Sequence, residues 1–279
     1  MVVLLLMAAA VRAQVESPTL STIREDVREG AASSSAPAPP RESGRRSSRA
    51  SESDSSDYDI EGTSGLLALS LVVATAPFVG PYMWLDDSLS TPGYFPRFPY
   101  DDNDAGYLSL SAPGQHAKPW AIRFGAEYAA TFDDLEHVGG NLLVSTTSRL
   151  GVDTSFSRLR EELDGGHDEL WLGDCNFVFR FAQSQWAEFR TGLGINWMDD
   201  RYGSELGFNF TYAMDFYPRK PWVLSSELDA GTLGHAGLFH FRTTAGIVVR
   251  NIELYTGYEY KGIGSTDWNA LIGGVRVYF

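Results

Sequence analysis

Apolar and polar residues alternate almost without a break from Pro119 to Phe279. A period of two marks strands whose two faces meet different surroundings. The alternation predicts strands at 120–132, 140–156, 170–182, 186–198, 206–217, 222–234, 238–250, 252–263 and 268–279. In the first, Trp120, Ile122, Phe124, Ala126, Tyr128, Ala130 and Phe132 share a face, while Arg123, Gly125 and Glu127 share the other. In the fifth, Leu206, Phe208, Phe210, Tyr212, Met214 and Phe216 oppose Asn209, Thr211 and Asp215.

Charge separates the two faces. Across these nine strands the apolar parity carries no Asp, Glu, Lys or Arg. The polar parity carries Arg123 and Glu127, then Arg149 and Asp153, then Asp174 and Arg180, then Glu188 and Arg190. Asp215, Glu227, Asp229, Arg242, Arg250, Glu253, Glu259, Lys261 and Arg276 continue it through the remaining strands. A one-sided antiparallel sheet alternates too. Exclusion of every charge points further, because a charge facing lipid near the bilayer midplane costs about 2–4 kcal/mol.

The same pattern says which face points out. A closed barrel of about eight strands has an interior only just wide enough for its own side chains. The many Phe, Trp and Leu of the apolar parity would not fit there. The polar parity is rich in Gly, which suits a crowded lumen: Gly125, Gly151, Gly192, Gly194, Gly207, Gly231, Gly246, Gly257 and Gly274. Aromatics gather at strand ends on the apolar face, at Trp120, Phe132, Phe156, Trp171, Phe181, Trp197, Phe216, Trp222, Phe239 and Tyr260. Those positions suit the two interfacial girdles of a membrane barrel. The competing arrangement is a soluble calyx with the apolar face inside, holding an apolar ligand.

The expected fold is therefore all-β, an antiparallel up-and-down transmembrane barrel. Nine strands is an odd count, and bacterial single-chain barrels have even numbers. Tyr107–Ser111 (YLSLS) also alternates and supplies a tenth; eight is the second choice. If the last strand ends in the periplasm, Asn251, 218–221 and 183–185 turn on that side. The connections 264–267, 234–237, 199–205 and 157–169 then lie outside, and strand 120–132 starts outside. Same-face pairing across these turns would set Asp229 against Arg242, Gly231 against His240, Arg250 against Glu253 and Thr244 against Glu259. Eight basic and nine acidic lumen residues nearly balance. A narrow barrel must pair such charges, so a filled interior with little or no open conductance is expected.

The chain before the barrel divides by composition. Residues 1–13 (MVVLLLMAAAVRA) have the apolar core and small-residue end of a signal peptide, without a basic residue ahead of the core. Residues 14–62 are rich in Ser, Pro and Arg, and this composition predicts a disordered tail, placed in the periplasm. Its Arg45, Arg46 and Arg49 are best read as solvated. Residues 63–85 form a second apolar run, broken by Pro77 and Pro81. A spanning helix needs about 20 apolar residues, so a short helix on or under the barrel is expected. Residues 86–118 are a Pro- and Tyr-rich loop containing the possible strand 107–111, and the barrel occupies 119–279.

Composition narrows the function classes. The chain of 279 residues carries 22 basic and 36 acidic residues, for a net charge of −14, so no nucleic-acid partner is expected. The single cysteine, Cys175, excludes an internal disulfide and lies on the apolar parity as a small filler. No metal cluster, cofactor motif or phosphate loop is legible. The short acidic runs 101–104, 133–134 and 199–200 are read as solvated turns rather than Ca²⁺ sites. The candidate catalytic residues are His167, His235 and His240 at one rim, with Ser157 or Ser204 as a nucleophile. They would serve a lipid-modifying enzyme, the second function class. His137 is expected at the opposite end.

The last strand, with Leu271, Val275, Val277 and Phe279 on one face, resembles the closing strand of bacterial outer-membrane β-barrels. That resemblance implies that Phe279 is a sorting signal read by the barrel-assembly machinery. It implies outer-membrane lipid as the surroundings and a monomer as the expected state. A closer resemblance rests on five stretches: Pro77-Phe78-Val79-Gly80-Pro81, residues 92–100, Thr147–Thr154, Gly173-Asp174-Cys175-Asn176 and Gly237-Leu238-Phe239-His240. These resemble an uncharacterised, mainly planctomycete family, over roughly residues 60–279. The resemblance implies a secreted outer-membrane barrel and transfers no functional residue. The leading function is a structural or surface-interaction role, or a narrow passive channel.

Overall fold

The computed structural model describes residues 19–30, 75–101, 106–110, 117–131, 135–163 and 166–279. Ten antiparallel strands form a closed barrel in which each strand pairs with its sequence neighbours and the first pairs with the last. They are β1 (Trp120–Thr131), β2 (Leu135–Thr146), β3 (Leu150–Leu163), β4 (Gly166–Gln183), β5 (Ala187–Asp200), β6 (Gly203–Phe216), β7 (Trp222–Leu233), β8 (Ala236–Val249), β9 (Ile252–Ile263) and β10 (Thr266–Tyr278). Closure removes both sheet edges.

The count is ten, but the tenth strand is not 107–111. The expected strand 140–156 is two strands, β2 and β3, split by a hairpin whose Arg149 N–H donates to the Thr146 carbonyl. Within the expected loop 157–169, residues 157–163 and 166–169 are also strand: β3 and β4 continue to the pair Leu163–Gly166. There the outward residues become Arg158, Arg160, Glu162, His167 and Glu169, while Leu159 and Leu170 turn inward, so the polar and apolar parities change places. Ser109 makes only an isolated bridge with Tyr94. Adding β2 also moves the start of β1. Arg123 pairs with Tyr278, so β1 begins at the end where β10 finishes, not at the opposite one.

Exposure settles which parity faces inward. Phe177, Leu206 and Leu254 are 60–62% exposed on the outer face, while Arg242 is 6% and Asp215 is 0% exposed within. The barrel is therefore not a calyx with an apolar interior. Two wall glycines mark close approach between strands: a Cβ at Gly231 would meet the Phe208 carbonyl oxygen at 1.9 Å, and one at Gly207 would meet that of Thr232 at 2.0 Å. Their small size serves the wall itself as well as the lumen.

The expected disordered tail contains a helix, α1 (Thr19–Glu29). Leu20, Ile23 and Val27 recur at helical spacing and lie fully buried among Leu135, Leu159, Leu170, Leu172, Met198, Leu233, Ile263 and Trp268. Three apolar residues suffice because they enter a ready-made apolar mouth; each fully buried side chain contributes about 1.5–3 kcal/mol. The mouth is the one opposite the end of β10, so α1 and the carboxyl terminus lie at opposite ends. The signal segment 1–13 and the rest of the tail lie outside the described residues.

Polar contacts fix α1. Its first amides, on Thr19 and Leu20, donate to the Glu161 carboxylate at 2.7 and 3.2 Å. This places a negative charge at the positive end of the helix dipole. Arg24 donates to both carboxylate oxygens of Asp168 and to the Glu169 carbonyl, and also reaches Asp200. Burial alone would lower the Arg24 pKa; its bonds to Asp168 and Asp200 carry it above the ordinary value. Glu161→Gln should weaken docking of α1 by about 1 kcal/mol, a roughly fivefold rise in tryptic cleavage after Arg24 and Arg28. An unchanged cleavage rate would remove Glu161 from the helix anchor.

The other end is closed by the segment before the barrel. Residues 75–84 are helical and pack on the outer wall, Phe78 against Phe181 and Tyr212, Trp84 against Trp186. The Tyr212 hydroxyl donates to the Pro77 carbonyl at 2.8 Å. The part of the expected helix at 63–74 lies outside the described residues. The chain then turns into the barrel end. Asp87 receives both Arg149 amino groups at 2.7 and 2.8 Å and the Gln183 N–H at 3.0 Å. Phe95, Tyr100, Tyr107 and Leu108 pack with Tyr217, Val223, Val248 and Tyr278 as a plug.

A candidate site in the barrel lumen

The lumen residues form layers of paired charge between these two closures. Nearest the plug, Arg180 contacts Glu188 at 3.2 Å and Gln183 at 2.8 Å, with the Phe95 ring 5.0 Å from its guanidinium. Arg276 pairs with Glu253 at 3.0 Å, and the Tyr278 hydroxyl donates to Glu253 at 2.6 Å. Burial, then the nearby Glu253 carboxylate, push the Tyr100 phenol above its ordinary range. In the middle layer Asp215 receives Arg123 at 3.0 Å and also Arg190, which reaches Asp153 at 3.2 Å. Glu127 holds Arg242 through both oxygens and accepts from the Tyr255 hydroxyl at 2.7 Å.

The layer beneath α1 is different. His240 Nδ1 lies 2.8 Å from Asp229, while its Nε2 lies 3.8 Å from Glu259. His137 Nδ1 lies 3.8 Å from the same Glu259 oxygen. Among the described residues, neither His137 nitrogen, nor His240 Nε2, nor Glu259 Oε1 has a hydrogen-bond partner, although each atom is buried. Asn209 ties Asn176 to Asp229 at 3.0 and 3.3 Å, and Asn176 donates to Asp174 at 2.7 Å.

Sixteen of the seventeen charges read onto the polar parity face the lumen or its rim; Arg250 is the exception. It sits exposed in the two-residue β8–β9 turn with φ 58°, and Glu253 is taken by Arg276. Arg149, also at a turn, points inward to Asp87. The expected pairs slip because the turns are tighter than read. Leu233 pairs with Ala236, so Asp229 faces His240, Glu227 faces Arg242 and Gly231 faces Leu238. Glu259 faces Arg242, and Thr244 faces Gly257.

The catalytic candidates do not converge. His167 is exposed on the outer face 3.3 Å from Glu169, His235 is exposed in a turn, and His240 is buried in the lumen. Ser204 donates to Asp199, and among the described residues no serine hydroxyl bonds a histidine. His137 was the missed residue. It shares the rim with His240 because β2 enters the ladder, and reading 135–146 as a strand would have put it on the lumen parity.

On the outer wall, Trp120, Phe156, Trp171, Trp222 and Phe239 are exposed, and Trp197, Phe216 and Tyr260 half-exposed. Phe181 is covered by the 75–84 helix rather than free, and Phe132 lies outside the described residues. Cys175 is exposed on this face. Phe279 is 50% exposed beside the β1–β10 seam, where its N–H donates to the Ile122 carbonyl.

No family model matches the sequence, and no curated protein matches it, so the resemblance to the uncharacterised family rests on its motifs alone. Solved barrels do resemble the chain. Ail, the attachment invasion locus protein of Yersinia pestis, has 11% identity and a TM-score of 0.28, over 57% of this chain and 96% of that one. The KdgM porin has 10% identity and 0.27, over 56% and 99%. Another porin has 9% identity and 0.28, over 67% and 72%. Likeness this distant bears on neither ligand nor activity.

Proposed function

We propose that this chain is a bacterial outer-membrane β-barrel with a structural or surface-interaction role and no open pore. The outer wall carries the reading. On β6 the outward residues Leu206, Phe208, Phe210, Tyr212, Met214 and Phe216 are uncharged. Ten residue steps of about 3.4 Å, tilted by about 40°, give a band about 26 Å tall, the height of a barrel's apolar belt. Beyond the belt the β3–β4 arm is charged, with Arg158–Glu169 and Arg160–Glu162 pairs. A soluble barrel would leave Phe177, Leu206 and Leu254 in water, a patch far larger than soluble monomers expose.

The lumen argues against conduction. α1 fills one mouth, the plug of Phe95, Tyr100, Tyr107 and Leu108 fills the other, and paired charges occupy the space between. The lipid partner follows from the belt. Recognition by the assembly machinery would use β10 and Phe279. The test has two parts. An outer-membrane fraction should contain a heat-modifiable form that migrates differently before and after boiling. The purified barrel in a planar bilayer should then give no stable unitary conductance. Steady porin-sized steps would overturn the closed-lumen reading, and a soluble monomer without detergent would overturn the membrane reading.

A further inference from the structure

The layer beneath α1 has more ligand atoms than hydrogen bonds. His137 is 2% exposed and Glu259 is 1% exposed. A buried imidazole with both nitrogens unpaired is costly, since an unmade bond on a buried polar group costs about 1–3 kcal/mol. Two separate strands, β2 and β8, aim an imidazole at one carboxylate oxygen of a third, β9. A nitrogen of His137 and an oxygen of each of Glu127 and Glu259 lie within 4.8 Å of one another.

We propose that His137, His240 and Glu259 bind a divalent transition-metal ion, Zn²⁺ being the best fit. Tetrahedral zinc with Zn–N and Zn–O bonds near 2.1 Å sets neighbouring ligand atoms about 3.4 Å apart. Both histidines stand 3.8 Å from Glu259 Oε1, a few tenths of an ångström beyond that spacing. His240 is already oriented for it. Asp229 holds Nδ1 and leaves Nε2 turned toward Glu259, the carboxylate–histidine arrangement that accompanies protein-bound zinc. Two imidazoles and one carboxylate favour zinc over Ca²⁺ or Mg²⁺, which take oxygen ligands. Glu127, already held by Arg242 and Tyr255, lies within 4.8 Å of the His137 and Glu259 ligand atoms as a fourth donor.

The local charge leaves room for the ion. Five carboxylates, Glu127, Asp174, Glu227, Asp229 and Glu259, surround this layer against Arg242 and Lys261 as the fixed cations. Arg190, 3.9 Å from Glu227, is already engaged by Asp215 and Asp153. Lys261, across the ladder from His240, is the charge that opposes binding. The inference concerns the barrel interior and holds whether or not the wall meets lipid.

The test uses the untagged full chain, folded in detergent, stripped with EDTA and dialysed against Zn²⁺. One Zn²⁺ per chain is expected, and Co²⁺ in its place should give the intense visible absorption of a tetrahedral site. H137Q and H240Q should each lower Zn²⁺ affinity at least tenfold, and D229N by about 10–100-fold. H167Q and H235Q should change nothing. Heat-modifiable migration reports that each variant is folded. K261M keeps every ligand and removes the opposing charge, so it should bind more tightly even if the ligand variants fail to fold. A folded barrel that takes up no Zn²⁺, an H137Q/H240Q double variant that binds as the parent does, or a K261M variant with unchanged or weaker affinity would overturn the site.

Discussion

Asp215→Ala should destabilise the folded barrel by about 3–5 kcal/mol, the usual cost of removing one partner from a buried ion pair. Asp215 is fully buried and central. It receives Arg123 and Arg190, and the Ser225 hydroxyl at 2.5 Å. Removing it leaves two guanidinium groups in the lumen with Asp153 as the nearest remaining counter-charge, 3.2 Å from Arg190. The cost comes from the stranded charges rather than from the net worth of the pair. Asp215→Asn keeps the shape and the Ser225 contact, and should lose less. Reversible urea unfolding of the barrel in detergent or lipid measures both. A loss below about 1 kcal/mol for Asp215→Ala would mean that water or ions reach this layer, which would also undo the closed-lumen reading.

The middle layer was legible because its residues alternate cleanly with large apolar ones. In β6, Asp215 sits between Met214 and Phe216, and no other secondary structure suits that spacing. Legibility failed where either face lost contrast. In β2, Gly139-Gly140 and Leu142-Leu143 place like beside like, so the strand merged with its successor and took the topology of β1 with it. In the β3–β4 arm, Arg158, Arg160, Glu162 and Glu169 face outward and Leu159 and Leu170 inward, the reverse of the pattern in the belt. Helix α1 escaped because Leu20, Ile23 and Val27 are too few to signal a core until the barrel mouth that receives them exists. His137 escaped for the same reason as β2: its neighbour in space, Glu259, is over a hundred positions away in the chain, and only the closed ladder joins them.

Leu193→Arg should cost about 2–4 kcal/mol if the outer wall lies in a bilayer. Leu193 is 58% exposed at the middle of β5, so no core contact explains such a loss. In water the same change at an exposed position is nearly free, within about 0.5 kcal/mol. The two environments therefore give opposite answers for one substitution. Depth provides the internal control. Val138 is 56% exposed and lies three residues from the start of β2, close to the α1 mouth. Val138→Arg should cost only about 0–1 kcal/mol, as charges near the interface do. Folding both variants into lipid vesicles and measuring unfolding free energies separates the cases. A large gap between Leu193→Arg and Val138→Arg follows from a hydrocarbon belt centred on the middle of the strands. Equal and small costs would place that wall in water, and the exposed Phe177, Leu206 and Leu254 would then need a protein partner instead of lipid to cover them.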